Sequence, residues 1–221
     1  MEIEEGSGVK DWQELRAGPL TMWFDPAWGS LRRVRLGDRE VVRAIYAAVR
    51  DPRQATLFCA AWTVASVAAL AASGAHSATY FETTGWLGVM ETARGCPLPD
   101  KFPSKPATVF PVYHVLADLG EFARGEVVPV ALEDPLSVTV LAVQKRGKTR
   151  LLGANLTDLD QSLRLENIPP MASLVRLNEG NIRQASRAPE VFRAASPEVI
   201  TASGGVLELK LAPYEVIRLD F

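Results

Sequence analysis

Residues Arg53 to Phe81 read RQATLFCAAWTVASVAALAASGAHSATYF, and this stretch decides the fold class. Between Gln54 and His76 there is no Asp, Glu, Lys or Arg. The alanine-rich run is expected to be a helix from Arg53 to about Ala72, ended by Gly74 as a left-handed cap. A short apolar strand, Ser77 to Phe81, is expected to follow at once. Helix, glycine turn and short strand form the repeating unit of a βα architecture, whose strands are covered on both faces and need no alternation.

The same run has to be weighed as a membrane span, which needs roughly 20 predominantly apolar residues. Ala, Ser, Thr and Gly dominate it, and these insert poorly compared with Leu, Ile or Phe. A buried helix in a layered domain is the reading, with no membrane association.

Downstream, Glu82 to Lys105 is rich in Gly, Pro and Thr and longer than most connections in compact domains, which marks a functional loop. A second helix is expected from about Thr108 to Ala123, with Pro111 in its first turn and Gly125 after its end. Beyond Glu126 the period becomes 2. Strands are expected at Val127–Leu132, Ser137–Gln144, Thr149–Asn155, Gln161–Glu166, Leu174–Leu177, Val206–Leu211 and Tyr214–Asp220, with Lys145-Arg146-Gly147-Lys148 as a hairpin turn. Short strands at this spacing make an antiparallel sandwich or barrel, and the sandwich is the expected form. Asn178–Ile200 reads as a long loop with room for one helical turn.

Upstream, residues 1–16 read as a polar arm. Leu20–Phe24, the turn Asp25–Gly29 and Leu31–Leu36 read as a hairpin that continues through Gly37-Asp38 into Glu40–Tyr46. Asp51-Pro52 breaks the pattern. The expected division is therefore an amino-terminal β-segment at 1–52, a helix–strand–helix piece at 53–125 and a β-sandwich at 126–221. The class is α+β, mainly β.

A net charge of -2 over 221 residues, with 23% charged residues of both signs interspersed, offers no basic field for nucleic acid. Cys59 and Cys96 show neither CxxC spacing nor a histidine pair, so both read as free thiols and no metal is expected. No GxGxxG, Walker A or HExxH occurs, and no cofactor is expected. The acidic start Met1-Glu2-Ile3-Glu4-Glu5 is unlike a secretory signal, which makes cytoplasm the expected location.

Glu82 would stand at the carboxyl end of the expected apolar strand, where barrel enzymes place reactive groups. Thr83 and Thr84 add hydroxyls, and Trp86 adds an indole of the kind that stacks on the apolar face of a sugar. The competing reading has Glu82 capping a turn and Trp86 filling the loop's own core. Glycoside hydrolysis ordinarily uses two carboxylates, and Glu91 and Asp100 lie in the same loop, where solvated carboxylates are commoner than catalytic ones. His114 reads as a helix packing residue more readily than as a base, and His76 as a turn residue. Ser66 and Ser73 lie in no GxSxG elbow. Asn155-Leu156-Thr157 matches a glycosylation sequon and is idle in a cytoplasmic protein.

Leu36–Asp51, Tyr80-Phe81-Glu82-Thr83-Thr84-Gly85-Trp86-Leu87-Gly88-Val89-Met90-Glu91 and Phe110-Pro111-Val112-Tyr113-His114-Val115-Leu116-Ala117-Asp118 together resemble the bacterial D-apionate lactonase family. The resemblance implies hydrolysis of a branched sugar-acid lactone and kinship with barrel glycoside hydrolases. It also implies that 53–125 is a remnant of the last unit of a (β/α) barrel, with the central β-region and most of the barrel missing and Asp51-Pro52 at the junction. Glu82 is then the candidate catalytic residue and Trp86, Thr83 and Thr84 the candidate substrate contacts. The expected partner is a small sugar acid or lactone, with self-association through the exposed helix. The resemblance thus implies a truncated lactone hydrolase that is inactive alone. A noncatalytic sugar-binding or interaction module and a glycoside hydrolase remnant are the alternatives.

Overall fold

The switch from alternating polar and apolar residues to a charge-free alanine run marks the division of the chain. Two compact units result, Met1–Arg50 and Asp51–Phe221. The computed structural model describes residues 12–26, 30–46, 51–73, 78 and 80–221.

In the first unit the described residues form an antiparallel meander of β1 (Gln13–Ala17), β2 (Leu20–Asp25), β3 (Ser30–Leu36) and β4 (Arg39–Tyr46), in that spatial order. β1 corrects the expectation of a loose arm, because Gln13–Ala17 pair with Phe24–Leu20. All of its side chains are exposed. Such an edge strand is held by its backbone hydrogen bonds and carries no apolar period to read. Residues 1–11 and 27–29 lie outside the described residues.

In the second unit, Asp51 caps a short 3-10 turn at Pro52–Ala55, its carboxylate accepting from the Arg53 N–H at 2.9 Å. Helix α1 (Leu57–Ala72) follows, and α2 (Val112–Glu121) is the second helix. Between them, Ala78, Tyr80 and Phe81 are in no strand, contrary to the expectation for Ser77–Phe81. A strand exists only where a neighbour answers its N–H and C=O groups, and among the described residues none runs alongside these. Gly74, His76, Ser77 and Thr79 lie outside the described residues.

The remaining elements are β5 (Glu126–Val128), β6 (Val138–Lys145), β7 (Lys148–Asn155), β8 (Gln161–Leu165), β9 (Met171–Leu177), α3 (Ile182–Arg187), α4 (Pro189–Ala194), β10 (Glu198–Thr201), β11 (Leu207–Leu211) and β12 (Val216–Asp220). A six-stranded sheet runs β10-β9-β12-β7-β6-β5, and β11 pairs with β8 in a second sheet. Leu163, Leu165, Leu207 and Leu211 of the small sheet pack on Val140, Leu151, Leu174 and Leu219 of the large one, which makes the sandwich.

The opposite face of the large sheet is covered as well. Leu57, Ala60, Ala61 and Val64 of α1 and Val115 of α2 pack on Leu141, Val143, Leu152 and Ala154. Alanines at the contact let α1 lie close to the sheet. A strand buried on both faces has no polar side to show. Accordingly Thr139–Val143 and Arg150–Asn155 are buried without interruption, whereas β8 and β11 keep the expected alternation. Asn178–Ile200, expected as a loop, contains α3, α4 and the start of β10. Among the described residues no helix is long and apolar enough to cross a membrane.

A balanced ionic network ties α2 and α4 to the sheet. Arg150 donates to Asp220 at 2.6 and 3.0 Å and to Glu121 at 2.7 Å. Asp118 faces Arg193 at 2.9 Å, Arg218 at 2.8 Å and Arg150 at 3.8 Å. Arg193 also donates to Glu121.

Candidate functional site

The loop that opens at Glu82 is a knot of backbone hydrogen bonds. Glu82 N–H reaches Leu87 O at 2.9 Å, Gly85 N–H reaches Met90 O at 2.8 Å, and Val89 N–H reaches Thr83 O at 3.2 Å. Two glycines permit this. Gly85 has φ +82°, and a Cβ on Gly88 would lie 2.6 Å from Thr84 N and 2.7 Å from Thr83 C. The buried Gln54 side chain donates to Gly88 O at 2.6 Å, which fastens the knot to the turn before α1.

The second half of the loop folds back on the first. Glu91 N–H bonds Thr108 O at 2.8 Å and Phe110 N–H bonds Val89 O at 2.9 Å. Trp86 meets Phe102 edge to face at 6.5 Å, and Phe102 meets Phe110 at 6.1 Å. These rings form a small core with Cys59 and Val112. The Trp86 indole is thus half-buried and serves the loop's own packing, leaving only part of it for a ligand.

The carboxylates separate by environment. Glu82, Thr83, Thr84 and Asp100 are exposed. Glu91 is 4% exposed, and its two oxygens accept from the Thr92 N–H at 2.8 Å and from the Ser104 hydroxyl. A carboxylate held from both oxygens is a structural pin, and Glu91 is not the free partner that two-carboxylate chemistry requires. Glu82, expected at a strand end, instead opens the knot, since the described residues directly before it, Ala78, Tyr80 and Phe81, are in no strand. Asp100 lies in the turn where Lys101 and Phe102 N–H groups reach Leu98 O.

The remaining candidates are structural. His114 is 3% exposed, with Nε2 at 3.0 Å from Ala185 O and its ring against Tyr113 and Phe192. Burial holds the imidazole below its ordinary value of 6.5, outweighing the bond to Ala185. A histidine depressed in the folded state contributes stability that is complete above 6.5 and lost as pH falls through the folded value. Between about pH 7.5 and about pH 5, across the histidine titration range, the urea midpoint should fall less in His114→Leu than in the parent. Burial pushes the Cys59 thiol up to about 11, which is opposite to an activated nucleophile. Ser66 bonds the Tyr80 hydroxyl at 2.7 Å, and Ser73 donates to Leu70 O at 2.8 Å. Among the described residues no group of His, Cys, Asp and Glu could hold a metal ion.

Two buried hubs have no counterpart in the sequence reading. Asn155, in the sequon, is 0% exposed and its amide donates to Leu159 O at 2.7 Å and Ala212 O at 2.8 Å. Glu215 is 2% exposed and accepts from Arg176 at 3.0 Å, Asn178 at 2.9 Å and Ala212 N–H at 2.8 Å. The Asn-x-Thr pattern is an Asx turn as well as a sequon, and that was the available signal for the first hub.

Comparison with known proteins agrees with this architecture. Residues 37–124 match the model of the D-apionate lactonase TIM barrel domain, and residues 135–219 match that of its C-terminal immunoglobulin-like domain. No protein among the curated sequences matches. Among solved structures, a GH30 endoxylanase from Clostridium papyrosolvens C71 superposes with a TM-score of 0.52 at 12% identity, over 78% of this chain and 39% of that one. The glycoside hydrolase family 30 subfamily 8 xylanase from Clostridium acetobutylicum gives 0.51 at 14% identity, over 80% and 40%. The chain therefore spans about two fifths of the length of those xylanases, and the likeness is one of fold. With one family's two domain models matched over most of its length, the chain belongs to the D-apionate lactonase family.

Proposed function

We propose that this chain is a shortened relative of a sugar-lactone hydrolase of carbohydrate catabolism that keeps substrate contacts but does not turn the lactone over alone. In an intact relative, a carboxylate would activate water against the lactone carbonyl and a hydrogen-bond donor would hold the developing oxyanion. Barrel sites assemble such groups from the ends of several strands. The observation that carries the proposal is that residues 51–125 hold α1, α2 and no strand among the described residues, although most of them match a barrel model. Glu82 then stands without strand-borne partners, and Glu91 is occupied as a pin.

In this reading the chain has three parts: a β-segment at 1–52, a barrel remnant at 53–125 and the sandwich at 126–221. The ligand is a small sugar acid or its lactone, held by Glu82, Thr83 and Thr84 beside the half-buried Trp86. Titration with D-apionolactone should shift the Trp86 indole N–H resonance, identified by comparison with Trp86→Phe. Glu82→Gln and Thr84→Val should each weaken that binding several-fold. No shift at any concentration would contradict retained substrate contacts and favour a noncatalytic interaction module. One observation supports a partner for the helix: Trp62 of α1 is 50% exposed beside its buried alanines. Apolar surface of this kind is normally covered, so light scattering should give a mass above the monomer, reduced toward it by Trp62→Arg.

A further inference from the structure

A cavity of about 170 Å³ lies between the segment 103–110 and helix α3, and it is lined by three cations, Lys105, Arg183 and Arg187. No carboxylate lines it. Six arginines of the same unit are held differently. Arg53, Arg150, Arg164, Arg176, Arg193 and Arg218 each form an ion pair. Lys105, Arg183 and Arg187 form none among the described residues, nor does any of their side chains hydrogen-bond there.

The cavity's walls are fixed by contacts that leave the cations free. Val109 N–H bonds Ser186 O at 3.0 Å, which joins the loop to α3. Ala185 is fully buried, and its carbonyl meets His114, which seats α3 on the core. Glu91, behind the loop wall, is occupied by Ser104 and the Thr92 N–H and does not line the space. Like charges gathered round one concavity repel each other, and an anion placed among them turns repulsion into charge-assisted hydrogen bonds. The backbone walls are pre-formed, and only the three exposed side chains have to be ordered round the guest. The volume is below the roughly 300–1,000 Å³ of drug-sized ligand sites, which limits the guest to a compact anion.

We propose that this cavity is a binding site for a small oxyanion, either a phosphate group or the carboxylate end of a short sugar acid, gripped by Lys105 from the loop and by Arg183 and Arg187 from α3. It stands apart from the Glu82 loop reading.

The test is calorimetric titration of the full chain with inorganic phosphate, with gluconate and with neutral xylose, against sodium chloride of matched ionic strength. Phosphate, gluconate or both should bind above the chloride control, with xylose silent at this pocket. A preference for phosphate assigns a phosphorylated guest, and a preference for gluconate assigns a sugar acid. Arg183→Gln combined with Arg187→Gln should weaken binding at least about tenfold, the size expected for lost charge-assisted bonds. Lys105→Gln, on the facing wall, should weaken it in the same direction. Lys148→Gln, an exposed cation of the β6–β7 hairpin, should leave it unchanged. No binding of either anion above chloride, or affinity unaltered by the Arg183, Arg187 and Lys105 variants, would overturn the proposal.

Discussion

Asp118→Ala should lower the unfolding free energy of the second unit by about 3–5 kcal/mol, the range for removing one partner of a buried ion pair. Asp118 is the one carboxylate here that faces Arg150, Arg193 and Arg218 together. The three guanidinium groups are 8%, 18% and 17% exposed, so water cannot replace the lost charge fully. Glu121 and Asp220 would remain against three cations, and the balance of three acids and three bases would be lost. The loss should appear as a lower urea midpoint with an unchanged slope. Burial works to raise Glu121, but the bonds from Arg150 and Arg193 outweigh it and hold the carboxyl below its ordinary 4.5. A carboxylate depressed in the folded state contributes stability that is present above the unfolded value and lost as pH falls through the folded one. The network should therefore weaken below about pH 4.5 in the parent, and Glu121→Gln should flatten part of that decline.

Gly88→Ala should disrupt the Glu82 loop at a cost of about 1–3 kcal/mol, the usual range for overpacking. The added Cβ would meet backbone, Thr84 N at 2.6 Å and the Thr83 and Thr84 carbonyl carbons at 2.7 Å, and backbone cannot swing aside as a side-chain tip can. The knot must open to admit it. The bonds from Gly85 N–H to Met90 O and from Val89 N–H to Thr83 O would lengthen, and with them the placement of Thr83, Thr84 and Trp86. Hydrogen exchange at the Gly85 and Val89 amides should accelerate well before global unfolding. Unchanged protection at both amides would show that the loop is not held as described.

These two positions also show where sequence reading reaches and where it stops. α1, α2 and the sandwich strands other than β10 were legible because burial imposes period on the chain, as the alternation of Leu163 and Leu165 with Ser162 and Arg164 in β8 makes plain. Even β6 was legible as a strand, although its uninterrupted burial comes from the helices on its second face. β1 was missed because an exposed edge strand needs only a partner's backbone. α3 and α4 were missed because helices of six residues each are too short to display a period. The residues of the site were legible and their roles were not. Glu82 and Glu91 look alike on paper, yet one is exposed, while the other is buried and bonded to Ser104, thirteen positions away. Asp118 and the cations round the α3 cavity were unreadable for the same reason, since each draws its partners or its isolation from distant segments.

The full purified chain, proposed to bind a sugar lactone without turning it over, is incubated with D-apionolactone. Acid release is followed by titration at constant pH beside a protein-free control. The expected result is release no faster than the spontaneous rate, in the parent and in Glu82→Gln alike. Protein-dependent hydrolysis that Glu82→Gln abolishes would contradict it.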